Sequence, residues 1–292
     1  MPAQVEIIAP ETRHHRARLS GTADTIAVGC GVPVDPLLPL DQLLAPANPL
    51  PVPETWQQGR GAFGGFVTGA MIRALEASAP DRPLRSLTAE LCGPLVAGEA
   101  DVELSVLRAG NAVTTTAIRL VQQGEVQAHG VGVLGKERTR ERDAVYDRAP
   151  ALPSWRDVPV APIGGAQFAP SFAAHFEMRV VRGIPFAGET EPVVLGWVRP
   201  LRPGTRRDAA YLAANIDAYY PTLFAVERVA RPMATIAFTF QPFTFSGDPD
   251  APLAYRARLV AAEAGYCVEL RELWTEDGQL LALNQQTFVI IK

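Results

Sequence analysis

The side chains of this sequence that could do chemistry are few and scattered. The four histidines are His14, His15, His129 and His175. His14 and His15 are adjacent, but no third ligand is spaced to complete a metal site with them. His129 lies inside a β-type run and His175 heads another, where a packed or surface histidine is the ordinary outcome. The three cysteines, Cys30, Cys92 and Cys267, are far apart. That odd, dispersed set excludes a disulfide framework and implies reduced thiols, hence a cytoplasmic setting. Cys92 and Cys267 fall in strand-like runs and read as small buried hydrophobes, with no histidine spaced to activate either. Neither a Gly-x-Ser-x-Gly elbow nor a Walker loop occurs. Gly59-Arg60-Gly61-Ala62-Phe63-Gly64 has the glycine spacing of a dinucleotide loop but lacks the βαβ context that would give it meaning. Arg202, Arg206 and Arg207 could meet a phosphate, although loop arginines are ordinarily solvated. Any active groups must therefore be ones whose significance depends on the fold.

Composition narrows the classes. The 292 residues carry 27 basic and 31 acidic side chains, a net charge of −4, and 48% are hydrophobic. A disordered chain needs the opposite balance. No basic cluster interleaved with aromatics is present, so nucleic acid is not an expected partner. No apolar run reaches the roughly 18 residues of a membrane span. The first twenty residues carry Glu6, Glu11, Arg13, Arg16 and Arg18 and do not read as a signal peptide.

The 26 prolines punctuate the chain. One group runs from Pro33 to Pro53 and another from Pro150 to Pro170. Neither stretch can be a helix interior or a central strand. The mixed charge run Lys136 to Asp143 precedes the second group and marks a linker. The spacing thus predicts an N-terminal extension over 1–54, a unit over 55–135, a linker over 136–170 and a second unit over 171–292.

The two units share one plan. Gly65–Ser78 carries apolar residues at helical spacing and is followed by period-2 runs at 85–91, 101–107, 113–121 and 126–134. Asp208–Tyr220 is helix-like and stops at Pro221. Strand patterns follow over 233–240, 253–259, 265–274 and 280–291, with a turn at Glu276-Asp277-Gly278. Further strands precede each helix, near Asp24–Val28 in the first unit and at His175–Val181 and Val193–Arg199 in the second. A helix with an apolar stripe needs a surface to bury it, and a curled antiparallel sheet provides one. The fold class is α+β: two helix-plus-antiparallel-sheet repeats forming one continuous curled sheet around two central helices.

Gly59-Arg60-Gly61-Ala62-Phe63-Gly64-Gly65-Phe66-Val67, taken with Asp277-Gly278-Gln279-Leu280-Leu281-Ala282 and Gln285-Gln286, resembles the type II acyl-CoA thioesterases. The resemblance covers most of residues 55–135 and 172–292 and implies a double hotdog fold. It also implies hydrolysis of an acyl thioester, carried by CoA or an acyl carrier protein, with no cofactor and no metal. It implies a homo-oligomer as well. A helix carboxylate, a strand hydroxyl and a glutamine of the last strand would hold the attacking water. These roles fall on Asp217, on Thr235 or its neighbour Thr239, and on Gln286. Strict alternation would put both threonines on one face. The family strand often has a carboxylate two residues after the threonine, where this chain has Ala237.

Thioester hydrolysis needs a fixed water, a proton acceptor and donors for the developing oxyanion. Gly64 and Gly65 suit the last task, at a helix N-terminus with no side chain in the way. They suit a close helix contact equally well. Phe63, Phe66, Phe238 and Phe240 are candidates to line an acyl tunnel between helix and sheet. Rival readings on the same fold are an acyltransferase, a dehydratase, or a non-catalytic binder of acyl or polyketide intermediates. A dehydratase would want a histidine near a helix, and neither expected helix carries one.

Overall fold

The computed structural model describes residues 38–139, 144–162, 169–245 and 247–291. The strand expected near Asp24–Val28 lies outside them, as does Cys30. The described chain opens with one helical turn, α1 (Leu40–Leu43), then β1 (Leu50–Val52) and the small hairpin β2 (Gln57–Gln58) and β3 (Gly61–Ala62). Next come α2 (Gly64–Ser78), β4 (Leu84–Leu91), β5 (Gly98–Ala109), β6 (Val113–Gln122) and β7 (Glu125–Gly135). The second unit contributes β8 (Phe176–Arg182), β9 (Val193–Pro200), α3 (Ala209–Ile216), α4 (Leu223–Val226), β10 (Met233–Pro242), β11 (Leu253–Glu263), β12 (Tyr266–Trp274) and β13 (Leu280–Ile290). Each unit therefore has a central helix, 15 residues in the first and eight in the second, followed by four antiparallel strands, as its alternating patterns predict. The first proline group contains α1 as well as the extended backbone expected there. Pro51 is accommodated because β1 is an edge strand, where a missing donor costs no ladder bond.

Eleven strands form one sheet in the order β1-β5-β6-β7-β4-β10-β13-β12-β11-β9-β8. The order mirrors about the β4–β10 seam, with β7 answering β13, β6 answering β12 and β5 answering β11, while β8 has no counterpart. At the seam Thr239 stands opposite Thr88 and Phe238 opposite Ala89. The inward faces of both halves join a single core. Within it α2 is buried from Gly64 through Leu75, and α3 is buried along all of its length. A helix apolar on every side belongs inside a core, and these two pack on each other. Each fully buried Leu or Phe of this core contributes roughly 1.5–3 kcal/mol.

The helices run antiparallel. The end of α3 meets the start of α2, while Arg73 of α2 reaches Asp208, the N-cap of α3, at 2.8 Å. Asp208 also accepts from the Tyr211 N–H at 3.1 Å, a capping contact that starts α3. The expected helix Asp208–Tyr220 is cut short. It ends at Ile216 with Asp217 as its C-cap, and the Ala218 N–H turns back to the Asn215 carbonyl. Two anchors pull the chain off the helix axis there. Asp217 is bonded from three elements, and the Tyr219 hydroxyl bonds the Trp197 carbonyl at 2.9 Å. At the opposite end of the helix pair, Leu75 lies over Gly132, so closely that a Cβ at 132 would come within 2.6 Å of it. Among the described residues no helix is long and apolar enough to cross a membrane.

Candidate active site

Where α3 ends against α2, four elements converge on one carboxylate. Gln286 of β13 donates its amide N–H to Asp217 Oδ1 at 2.7 Å. Arg271 of β12 donates Nη1–H to the same oxygen at 3.1 Å. The Gly65 backbone N–H, in the first turn of α2, donates to the carboxylate as well. Thr235 of β10 completes the chain by donating its hydroxyl to Gln286 Oε1 at 3.2 Å. This amide is thus oriented from both ends: its oxygen accepts and its nitrogen donates. Oδ2 of Asp217 points at Gly64, where an added Cβ would sit 2.8 Å away. Glycine at 64 leaves the space beside that oxygen open.

Burial sets the electrostatics. Asp217 is 7% exposed, Gln286 0%, Arg271 1% and Glu269 0%. Desolvation pushes the Asp217 carboxyl up to about 6, and Glu269 adds to the rise. Arg271, the Gln286 amide and the Gly65 N–H pull it back towards the ionised form. Burial works against the Arg271 charge, but the Glu269 and Asp217 carboxylates outweigh it and hold that guanidinium above its ordinary value. The result is a carboxylate that exchanges a proton near neutrality, which is what a general base requires.

Residues 52–135 match the family model of the acyl-CoA thioesterase N-terminal domain, and residues 147–290 match that of the C-terminal domain. The chain belongs to the acyl-CoA thioesterase family. Solved structures show the same fold in other members and relatives. A hot dog fold protein from Alicyclobacillus acidocaldarius superposes with a TM-score of 0.76 at 24% identity, covering 87% of this chain and 98% of its own. A thioesterase II candidate from Thermobifida fusca YX gives 0.75 at 20% identity, with 88% and 99% covered. An acyl-CoA thioesterase II from Mycobacterium marinum gives 0.68 at 19%, with 86% and 98% covered. No curated protein matches the chain.

In this thioesterase-family chain the two threonines are separated by a β-bulge. The register of β10 on β13 slips between Thr235 and Ala237. The extra residue, Ile236, resets the alternation. Thr235 therefore reaches Gln286, while Thr239 pairs with the exposed Gln285 and Thr88 on the outer face. The expectation that both share a face is corrected. Gly65 is also reassigned, since its N–H is spent on Asp217 and does not stand free for an oxyanion. Its missing side chain lets α3 approach, because a Cβ there would meet Ala214 Cα at 2.9 Å and the Phe63 ring at 2.5 Å.

The aromatic candidates sit deeper than a tunnel lining would. Phe63, Phe66, Phe238 and Phe240 are fully buried in the core, and Phe63 stacks on Phe172 at 3.9 Å. An open cleft of 520 Å³ lies instead along the segments that follow α3 and lead into β10, and Asp217, Thr235 and Gln286 are not among its lining residues. Ala218, next to Asp217, and Met233, two residues before Thr235, border it together with Phe172, Tyr220 and Phe224. Gln57, Gln58 and Ser171 supply its polar rim.

Other sequence candidates stand apart from the cluster. His129 is half-buried and pairs with Glu90 at 3.0 Å. His175 stacks on Trp56 and bonds the Thr55 carbonyl. Cys92 is exposed and lies just past β4, because the strand ends at Leu91 and the backbone turns to bond Gln127; the buried-strand reading holds for Cys267 alone. Arg207 is buried, 8% exposed, against the expectation of a solvated loop arginine, because the chain at Gly247 closes over its guanidinium. Arg271 and Glu269 were missed. Their signal was two opposite charges two apart, which alternation places on one face, in a strand that is apolar apart from Glu272.

Proposed function

We propose that the protein hydrolyses acyl-CoA or acyl-carrier-protein thioesters with Asp217 as general base. The supporting observation is the chain Thr235–Gln286–Asp217, with Arg271 and Gly65 on the same carboxylate. The thioester is presented from the cleft, and its acyl group lies against Phe172, Phe224 and Met233. Thr235 and Gln286 hold a water beside Oδ2 of Asp217. The water oxygen attacks the thioester carbon as Asp217 takes a proton from it. The carbonyl oxygen becomes an oxyanion, for which the Gly64 N–H at the start of α2 is the assigned donor. The C–S bond then breaks, the oxyanion re-forms a carbonyl, and the sulfur leaves with the proton from Asp217. The products are a carboxylic acid and a thiol. Thiolate is a good leaving group, so no stronger acid is needed. CoA and carrier protein present the same reacting atoms, and the mechanism is common to both.

The threonines test this arrangement. Thr235→Val is expected to lower kcat for acyl-CoA hydrolysis by about five- to tenfold, since a lost hydrogen bond to the water-holding amide is worth roughly 1–1.5 kcal/mol. Thr239→Val, on the outer face, is expected to leave kcat within about twofold. Thiol release across acyl-CoAs of graded chain length measures both. Equal losses in the two variants would exclude the bulge-selected hydroxyl. Absence of hydrolysis by the unaltered protein with every chain length, alongside tight acyl binding, would favour a binding protein instead.

A further inference from the structure

We propose that Arg271 is a positioning residue for this hydrolysis: clamped by Glu269, it fixes the orientation and charge of Asp217. The inference rests on the thioesterase reading of the site. Arg271 is buried on β12 and spends its guanidinium on three acceptors. Nη1 donates to Asp217 Oδ1 at 3.1 Å and to the Ile216 carbonyl at 3.2 Å, while Nε donates to Glu269 Oε1 at 2.5 Å. The Ile216 carbonyl belongs to the last turn of α3, where carbonyls lack helical partners and a cation is favoured. One side chain thus finishes the helix and holds the carboxylate that follows it.

Glu269 fixes the fixer. Its Oε2 accepts the Thr222 N–H at 2.7 Å, just beyond the Tyr220-Pro221 segment that borders the cleft. Its β-partner is Gln286, so the acid that holds Arg271 and the amide that holds Asp217 sit side by side. The cluster contains two carboxylates and one guanidinium, and with Glu269 and Arg271 almost wholly buried only Asp217 keeps any exposure to relieve the excess negative charge. For stability alone, apolar residues of similar volume commonly serve as well as a buried ion cluster. A carboxylate base inside a core needs such a counter-charge to ionise at all.

The groups facing Asp217 act with definite signs. Arg271 from β12, Gln286 from β13 and the Gly65 N–H from α2 favour the ionised form, and Glu269 from β12 opposes it. Tyr255 from β11 faces the same cluster; its hydroxyl stays protonated because burial raises its pKa. Removing Arg271 and removing the Glu269 charge should therefore move the base in opposite directions. A role confined to folding gives no such reversal.

The experiment records kcat/KM against pH for the unaltered protein and for Arg271→Met, Arg271→Lys and Glu269→Gln. Activity of the unaltered protein is expected to fall below about pH 6, following Asp217. Arg271→Met should shift that limb upward by a unit or more and lower kcat/KM at pH 6 by about fivefold or more, while Arg271→Lys restores most of the shift. Glu269→Gln should shift the limb downward. If Arg271→Met does not fold, the Glu269→Gln and Arg271→Lys profiles still decide. Limbs that stay in place, or a Glu269→Gln limb that moves up, overturn the proposal. Asp217→Asn run in parallel separates the two levels. Full activity in that variant overturns the site itself, whereas an inactive variant with unmoved limbs elsewhere overturns only the role of Arg271.

Discussion

Asp217→Asn is expected to lower kcat/KM for acyl-CoA hydrolysis by about 10²- to 10⁴-fold, the range set by loss of a positioned general base. Asparagine keeps the shape and can still accept from Arg271 and Gln286, so the loss should appear in kcat with KM little changed. The same substitution has a stability signature of known sign. The folded carboxyl is raised to about 6 from its ordinary 3.8. A raised acid costs nothing below the unfolded value, and its penalty grows as pH climbs through the folded one. At roughly 1.4 kcal/mol per unit, the penalty above pH 6 approaches about 3 kcal/mol. The asparagine variant escapes it. The melting temperature of Asp217→Asn relative to the unaltered protein should therefore rise between pH 4 and pH 8. A constant difference over that window would mean that Asp217 is not held in the raised state.

Gly65→Val should damage the fold and the chemistry together. Even a Cβ at this position would meet backbone of α3 at 2.9 Å, and the Phe63 ring that could otherwise yield is itself stacked on Phe172. Overpacking of this kind costs typically 1–3 kcal/mol, and the upper end is expected because neither neighbour has room. Pushing α2 from α3 also withdraws the Gly65 N–H from Asp217. Gly64→Ala differs in kind. Its nearest obstacle is Asp217 Oδ2, at 2.8 Å, and no backbone atom stands within contact distance. Thermal melts and thiol-release assays on the pair should separate them, with Gly65→Val losing both stability and activity and Gly64→Ala losing mainly activity. Comparable melting losses in both would contradict the division of labour between the adjacent glycines.

Much of the architecture was legible because each unit repeats a local pattern. Strands such as Val113–Gln122 alternate cleanly, and the helix Gly64–Ser78 begins within one residue of its expected start. The glycine pair and the Asp-Gly-to-Gln ending pointed to the family, and the structure links Thr235, Gln286 and Asp217 in one hydrogen-bond chain. Long-range pairing decided what remained hidden. The bulge at Ile236 exists only because β10 must register on β13, and no feature within Met233–Phe240 announces it. Glu269 and Arg271 alternate with Val268, Leu270 and Glu272, and apolar residues stand on the other face. Only the pairing of Glu269 with Gln286 tells which face is inside. The length of α3 depended likewise on partners of Asp217 and Tyr219 that lie far along the chain.

The mirror order of the sheet bears on how such a chain can change. Where two identical hotdog units associate as separate polypeptides, both ends of the helix pair must carry the same side chains. A reactive cluster on one end is then copied to the other, wanted or not. Joining both units in one polypeptide removes that obligation. Here one end holds Asp217 and Arg271, and the other carries the Arg73–Asp208 ion pair and Leu75 pressed over Gly132. The silent end can be optimised for cohesion alone. It thereby offsets the cost of keeping two carboxylates and a guanidinium out of water at the end that holds Asp217.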